Sequence, residues 1–251
     1  MAETVTSADG STIAYEVQGS GPTLLVIGGA FSTRQSAAAV LPNLTPHFTV
    51  VAFDRRGRGD STDASNPPPY EREREIEDVR VLLDAVGDDA FVYGHSSGAA
   101  LAFEAAAAGA SIARVAGYEA PYIAQSEPTE QVAAALAAGD RERATELFLV
   151  TTGNDPATMR DTPWWPGLVA VAHTLPYEFA LVDAGVPVER FATIRIPSLV
   201  LDGGASPAWV AEAASALAAS IPGATRHTLP GQTHGVSYEV LTPVLEEFFL
   251  G

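Results

Sequence analysis

The five residues Gly94-His95-Ser96-Ser97-Gly98 carry the sharpest chemical signal in this chain. They follow Ala90-Phe91-Val92-Tyr93, a short run of β-type residues, and precede the Ala-rich segment from Ala99 to Ala108, which has helix propensity. A G-x-S-x-G pattern matters at such a strand-to-helix junction. There the sharp turn strains the backbone of the serine and lifts its hydroxyl above the edge of a sheet. Glycine at both ends lets neighbouring backbone pack closely. The expected chemistry is nucleophilic attack by Ser96. Serine is a weak nucleophile at neutral pH, so a base must lie within hydrogen-bond reach.

Composition narrows the setting. The 251 residues fit one domain, or one domain carrying a sizeable insertion, and 47% hydrophobic content supports a large core. All 14 basic residues are arginine and the formal net charge is −17, a field that argues against nucleic acid or an anionic membrane surface as partner. With no cysteine, disulfides, thiolate catalysis and cysteine-ligated metals are excluded. No apolar run approaches the ~20 residues of a membrane span, and Met1-Ala2-Glu3-Thr4 lacks a signal-like start, so a cytoplasmic protein is expected.

The elements that must position Ser96 alternate between strand and helix. Strands are expected at 4–6 and 11–18, joined by Ala8-Asp9-Gly10, and at 23–27, which ends in Gly28-Gly29-Ala30-Phe31. A helix over 34–44 and a strand over 48–53 lead to Asp54-Arg55-Arg56-Gly57-Arg58-Gly59-Asp60-Ser61. That stretch reads as scaffold, with arginines tying loops together. A Pro-rich loop ending at Pro69 precedes an amphipathic helix over 71–86, and the nucleophile segment leads to a strand over 112–118. From Ala124 to about Arg190 the pattern is helical, with segments at 129–138, 141–151, 156–160 and 166–174. Strand 198–201, helix 207–220, strand 224–229 and helix 241–250 close the chain. This is an α/β pattern: a mainly parallel sheet covered on both faces, with ligands bound beyond its C-terminal strand ends.

In this order, the Gly28-Gly29-Ala30 loop, the Asp54 to Ser61 stretch, the Gly94 to Gly98 elbow and Gly231-Gln232-Thr233-His234 resemble the α/β-hydrolase fold superfamily along nearly the whole chain. The resemblance implies an eight-stranded sheet, with residues 1–123 and 191–251 as the core and 124–190 as a helical cap inserted after the sixth strand. It also implies an oxyanion hole made by the amides of Ala30 and Ser97. A histidine often stands where Gly28 is, but a backbone donor does not depend on it.

Five histidines compete for the role of base: His47, His95, His173, His227 and His234. His95 points into the elbow and reads as structural. His47 and His227 belong near strand starts, at the far end of the sheet. His173 lies in the cap and is a candidate pocket residue. His234 follows the last strand on the side of the elbow and is the expected base. In most superfamily members the acid stands three residues past the glycine that ends the seventh strand, which here is Ser206. Two strand-end carboxylates could replace it, Glu119 in Gly117-Tyr118-Glu119-Ala120-Pro121 and Asp202 at the end of the seventh strand. Glu119 is favoured by analogy with certain haloalkane dehalogenases, which carry their acid there; their aspartate nucleophile is not matched by Ser96.

The resemblance thus implies a serine hydrolase of a carboxylic ester or lactone, acting through an acyl-enzyme and needing no metal or organic cofactor. The expected substrate is small and neutral, apolar or aromatic, and is held by Phe31, Tyr122, Trp164, Trp165 and His173; a monomer or homodimer suffices. The alternatives are C–C bond hydrolysis or acyl transfer on the same residues, and a non-hydrolytic member acting as ligand receptor or biosynthetic lyase or cyclase.

Overall fold

The computed structural model describes residues 2–64, 70–87, 89–122, 127–182 and 185–251. The Pro-rich loop expected to end at Pro69 and the expected start of the insertion at Ala124 lie outside the described residues. Eight strands form one sheet: β1 Glu3–Thr6, β2 Thr12–Gly19, β3 Thr23–Ile27, β4 Thr49–Phe53, β5 Ala90–His95, β6 Ile112–Tyr118, β7 Ser198–Gly203 and β8 Thr225–Leu229. Their order is β1-β2-β4-β3-β5-β6-β7-β8. Only the pairings of β2 are antiparallel; β3 to β8 run parallel.

Parallel strands covered on both faces should read as continuous apolar runs, and Thr23–Ile27 and Thr49–Phe53 do. The strand alternation sends Leu25, Ile27, Val51, Val92, Val115 and Val200 to one face. There they pack with Val79 and Leu82 of α2 (Arg72–Val86), Phe103 of α3 (Ser97–Ala107) and Leu217 of α10 (Ala208–Ser220). On the other face Leu24, Val26, Val50, Leu199 and Leu201 meet Leu44 of α1 (Leu41–Leu44) and Leu241, Leu245 and Phe249 of α11 (Tyr238–Leu250). Each such fully buried side chain contributes roughly 1.5–3 kcal/mol, before the entropy of ordering it.

The helix expected over 34–44 is broken. A 3₁₀ turn covers Arg34–Ala39, and α1 restarts at Leu41. Pro42 has no N–H, and its ring excludes the carbonyl one turn back, so a continuous helix cannot form there.

Between β6 and β7 lie α4 (Glu127–Ala137), α5 (Arg141–Thr151), α6 (Pro156–Arg160), α7 (Trp165–Val171), a 3₁₀ turn at Ala172–Thr174, α8 (Leu175–Val182) and α9 (Val188–Phe191). The expected helix over 166–174 ends early, and α8 and α9 were not anticipated from the sequence. Pro176, in the first turn of α8, fits a helix start and was the available signal. The insertion has its own apolar cluster of Val132, Ala144, Phe148, Ala172, Leu175 and Phe179, against which Ala30 and Phe31 pack. No helix among the described residues is long and apolar enough to cross a membrane.

The chain leaves β3 toward β4 on one side and pairs it with β5 on the other, so a crevice opens at the C-terminal ends of β3 and β5. Ile27 is paired with Gly94 across it. The loop after β3 and the Ser96 turn are therefore neighbours by topology.

Candidate active site

Ser96 sits between β5 and α3 with φ 58° and ψ −129°. That conformation is rare outside glycine and costs of order 1–3 kcal/mol. The surrounding glycines explain how it is held. A Cβ on Gly94 would stand 2.2 Å from the Gly98 carbonyl oxygen, and one on Gly98 would stand 2.2 Å from that of Ile27. The Ser96 N–H donates to the Tyr118 carbonyl at 2.8 Å, and its own carbonyl accepts from Ala99 at 2.9 Å. Four non-glycine residues have positive φ among the described residues: Phe31, Asp89, Ser96 and Glu119. Three of the four line one cavity, a concentration of strain typical of functional sites.

The cavity has a volume of about 760 Å³, within the range of small-molecule sites. Its walls include Ala30, Phe31, His95, Ser96, Ser97, Glu119, Glu178 and His234. The last strand and its loop deliver His234. Tyr118 Oη donates to the Thr233 carbonyl at 2.7 Å, and the Ala205 N–H donates to that of Gln232 at 2.8 Å, pinning the loop. His234 Nδ1 lies 2.8 Å from Glu119 Oε2. A proton on Nδ1 donated to that carboxylate leaves the lone pair on Nε2.

Glu119 Oε1 accepts from the Gly203 N–H at 2.9 Å and from Ser206 Oγ at 2.6 Å. Burial pushes this carboxyl up, but the bonds from His234, Ser206 and Gly203 outweigh it and hold the group below the usual carboxylate range. The stability this confers is complete above the unfolded carboxylate range and is lost as pH falls through the lower folded value. Ser206, which stands where most superfamily members carry the acid, instead donates to Glu119. Asp202 faces away. Its buried carboxylate takes both ends of the Arg226 guanidinium, at 2.8 and 2.9 Å, and the Thr228 hydroxyl. Arg226 and Thr228, two apart on β8, were the sequence signal that Asp202 had a structural partner.

His95 is stacked on Tyr118 and meets His234 edge-on with centroids 4.9 Å apart. Burial, with the neighbouring His234 adding to it, pushes its pKa down to about 3. Its ring is therefore neutral at working pH. His47 pairs with Glu246 at 3.1 Å, and His227 is exposed on β8.

The other expected pocket residues divide. Phe31 lines the cavity and packs edge-on against Phe148, which meets Phe179 in turn. Tyr122, Trp164, Trp165 and His173 are absent from its walls. Tyr122 is buried in the core, edge-on to Phe191, with its hydroxyl on the Ala100 carbonyl at 3.4 Å. Trp164 is 73% exposed. Trp165 is buried beneath the Arg160 guanidinium. His173 packs against Gly57, and burial, with Arg141 nearby, lowers its pKa. The cavity instead takes Phe179 and Val182 from α8, Trp209 and Val210 from α10, Thr151 from the end of α5 and Thr152 and Asn154 just after it. Trp209 is not among the residues expected from the sequence; its position just past the β7 loop, at the C-terminal edge of the sheet, was the available signal.

The arginine-rich loop is anchored by buried charge. Arg55 bonds Glu75 through Nε at 2.6 Å and Nη2 at 2.7 Å, and reaches Glu178 Oε2 of α8 at 3.1 Å. Arg58 bonds the other oxygen of Glu178. Burial pushes the Glu178 carboxyl up, and the two guanidiniums more than offset it. Arg56 grips Asp78 with two bonds of 2.7 Å. No group of three or more His, Asp or Glu able to hold a metal ion occurs among the described residues.

A family model described as the alpha/beta hydrolase family matches residues 19–244. The chain is 48% identical to an alpha/beta hydrolase from Sphaerobacter thermophilus, with a TM-score of 0.89 over 98% of this chain and 100% of that one. It is 29% identical to a hydrolase from Pseudomonas aeruginosa, with a TM-score of 0.80 over 100% and 98% of the two chains. A stretch of 96 residues is 34% identical to the uncharacterized hydrolase YraK of Bacillus subtilis, covering 38% of this chain and only 35% of that protein.

Two outcomes test the local physics. Gly98→Ala should lower stability by roughly 1–3 kcal/mol or more, a melting temperature down by about 3–10 °C, because the added carbon meets backbone that cannot give. Imidazole NMR should show no titration of His95 between about pH 4.5 and pH 8. Since its folded pKa lies below the unfolded one, its share of stability is present above the unfolded value and declines as pH falls below it.

Proposed function

The chain belongs to the alpha/beta hydrolase family, and from that premise we propose that it is a serine hydrolase cleaving a carboxylic ester or lactone of a small, neutral, apolar or aromatic substrate. The observation that carries this reading is the 2.8 Å contact between Glu119 and His234 on the wall of the cavity that Ser96 lines from its strained turn. In this reading Ser96 Oγ attacks the carbonyl carbon and His234 Nε2 takes its proton. The Glu119 carboxylate orients the ring and stabilises its charged form, and the amides of Ala30 and Ser97 hold the oxyanion. His234 then protonates the leaving oxygen. A water activated by the same ring cleaves the acyl-enzyme.

The substrate class follows from the walls. Phe31, Phe148, Phe179, Val182 and Val210 offer apolar surface, and no arginine lines the cavity among the described residues. A carboxylate or phosphate on the substrate would find no arginine among the lining residues to pair with. Thr151, Thr152 and Asn154 give one end of the cavity polar character, suited to a carbonyl or hydroxyl of the substrate.

The test is covalent. A fluorophosphonate should label Ser96, p-nitrophenyl butyrate should be turned over, and Ser96→Ala should abolish both. Tight binding of a ligand with neither labelling nor turnover would instead favour a receptor or lyase. Glu119→Gln should lower kcat by about 10⁴. Asp202→Asn should keep kcat while lowering stability by roughly 1.5–3 kcal/mol, the worth of its bonds to Arg226. Because Ser206 Oγ already touches the Glu119 carboxylate, Ser206→Asp added to Glu119→Gln should regain roughly tenfold or more of the lost rate.

A further inference from the structure

Among the described residues, the Asp54 to Ser61 stretch holds three arginines that are at most 2% exposed, and two of them reach the site. Arg58 Nη1 donates to the Gly29 carbonyl at 2.8 Å. A peptide unit is planar and trans, so its N–H points opposite to its C=O. The carbonyl of Gly29 and the N–H of Ala30 belong to the same peptide unit. Whatever fixes the one therefore aims the other. That unit also stands against the nucleophile: a Cβ on Gly29 would lie 2.8 Å from Ser96 Cβ.

The rest of Arg58 is held by the insertion. Its Nη2 bonds Glu178 Oε1 of α8, and its Nε donates to Thr174 Oγ1 at 3.1 Å. Arg55 extends the arrangement to the side chain of Ser97, the residue that carries the second amide. Its Nη1 reaches Glu178 Oε2 at 3.1 Å, Ser97 Oγ at 3.2 Å and the Gly28 carbonyl at 3.4 Å. One carboxylate on the insertion thus grips the two guanidiniums that grip both segments carrying the oxyanion donors.

We propose that Arg58 and Glu178 are positioning residues that aim the Ala30 N–H at the oxyanion, so that docking of the insertion on the core sets the catalytic competence of the site. This rests on the serine-hydrolase reading above. The insertion in this view does more than cover the pocket and choose the substrate. It completes the oxyanion hole through Glu178, and removing that grip leaves the Gly29 carbonyl with the longer 3.2 Å bond from the Ser32 N–H, so that the Gly29–Ala30 unit is held less firmly while Ser96, His234 and Glu119 stay in place. Only stabilisation of developing charge is then lost, so the defect appears in kcat and not in KM.

The experiment uses the double variant Arg58→Met/Glu178→Met, which removes one buried charge of each sign and leaves Arg55 with its two bonds to Glu75. Buried ion pairs replaced together by apolar side chains often cost little stability. The expected result is a melting temperature within a few degrees of wild type. With p-nitrophenyl acetate, kcat should fall roughly 30- to 300-fold while KM stays within about threefold, approaching the loss of one oxyanion donor. Affinity for a trifluoromethyl ketone, whose adduct carries the oxyanion, should weaken by the same factor as kcat. Arg58→Lys, which lacks the planar fork that bonds Gly29 and Glu178 together, should fall between the two. Thr174→Val removes the bond from Nε together with the local bond from Thr174 Oγ1 to the Val171 carbonyl, alters no charge, and gives a reading if the double variant does not fold; its kcat should drop a few-fold at constant KM. A folded variant set with wild-type kcat and ketone affinity would overturn the positioning role and leave the hydrolase reading intact. A wild-type protein that neither turns over esters nor forms the ketone adduct would overturn both.

Discussion

The carbonyl oxygens of Ile27 and Gly28 stand so close to the Cα of Gly98 that no side-chain carbon fits between them. This contact between the end of β3 and the start of α3 is the constraint from which the site follows. It brings the Gly28–Phe31 loop and the Ser96 turn within one peptide's width. It also leaves Ser96 in a conformation that the bonds to Tyr118 and Ala99 then lock. The strain at Phe31, Ser96 and Glu119 is concentrated at the ends of three successive sheet positions, β3, β5 and β6. Packing of the sheet on both faces supplies the free energy that tolerates it.

Much of this was legible in the chain. The strand over 23–27, that over 112–118 and the helix over 141–151 are found as read, because apolar runs and helical periodicity report burial directly. The turn at Ser96 was legible because only glycine permits the approaches at positions 94 and 98. The break before Pro42 was equally available, since proline's lost donor is a local fact, but the Ala-rich residues around it masked the signal.

The acid and the pocket were harder, for a physical reason. Glu119 and Asp202 end neighbouring strands, with Tyr118 paired to Leu201 just before them. From spacing alone they are equivalent. What separates them is the partner across the sheet: Arg226 and Thr228 take Asp202, whereas Glu119 turns through positive φ toward His234. Tyr122, Trp164 and Trp165 failed as guides to the pocket because an aromatic ring is as useful inside a cluster as in a wall. Trp165 and Tyr122 went to packing, Trp164 to solvent, and the walls drew on α8, whose start the sequence reading passed over.

A carboxylate carried at the end of β6 has an evolutionary corollary. In this chain the end of β7 and the segment from it to α10 supply a backbone N–H and a hydroxyl to the site, groups that many residue types or a reshaped loop could furnish. On the serine-hydrolase reading that segment houses no indispensable charge, so drift in its length or composition would leave the acid in place. Because it runs straight into Trp209 and Val210 on the cavity wall, such drift would retune which molecules fit while the proton-handling groups stay untouched.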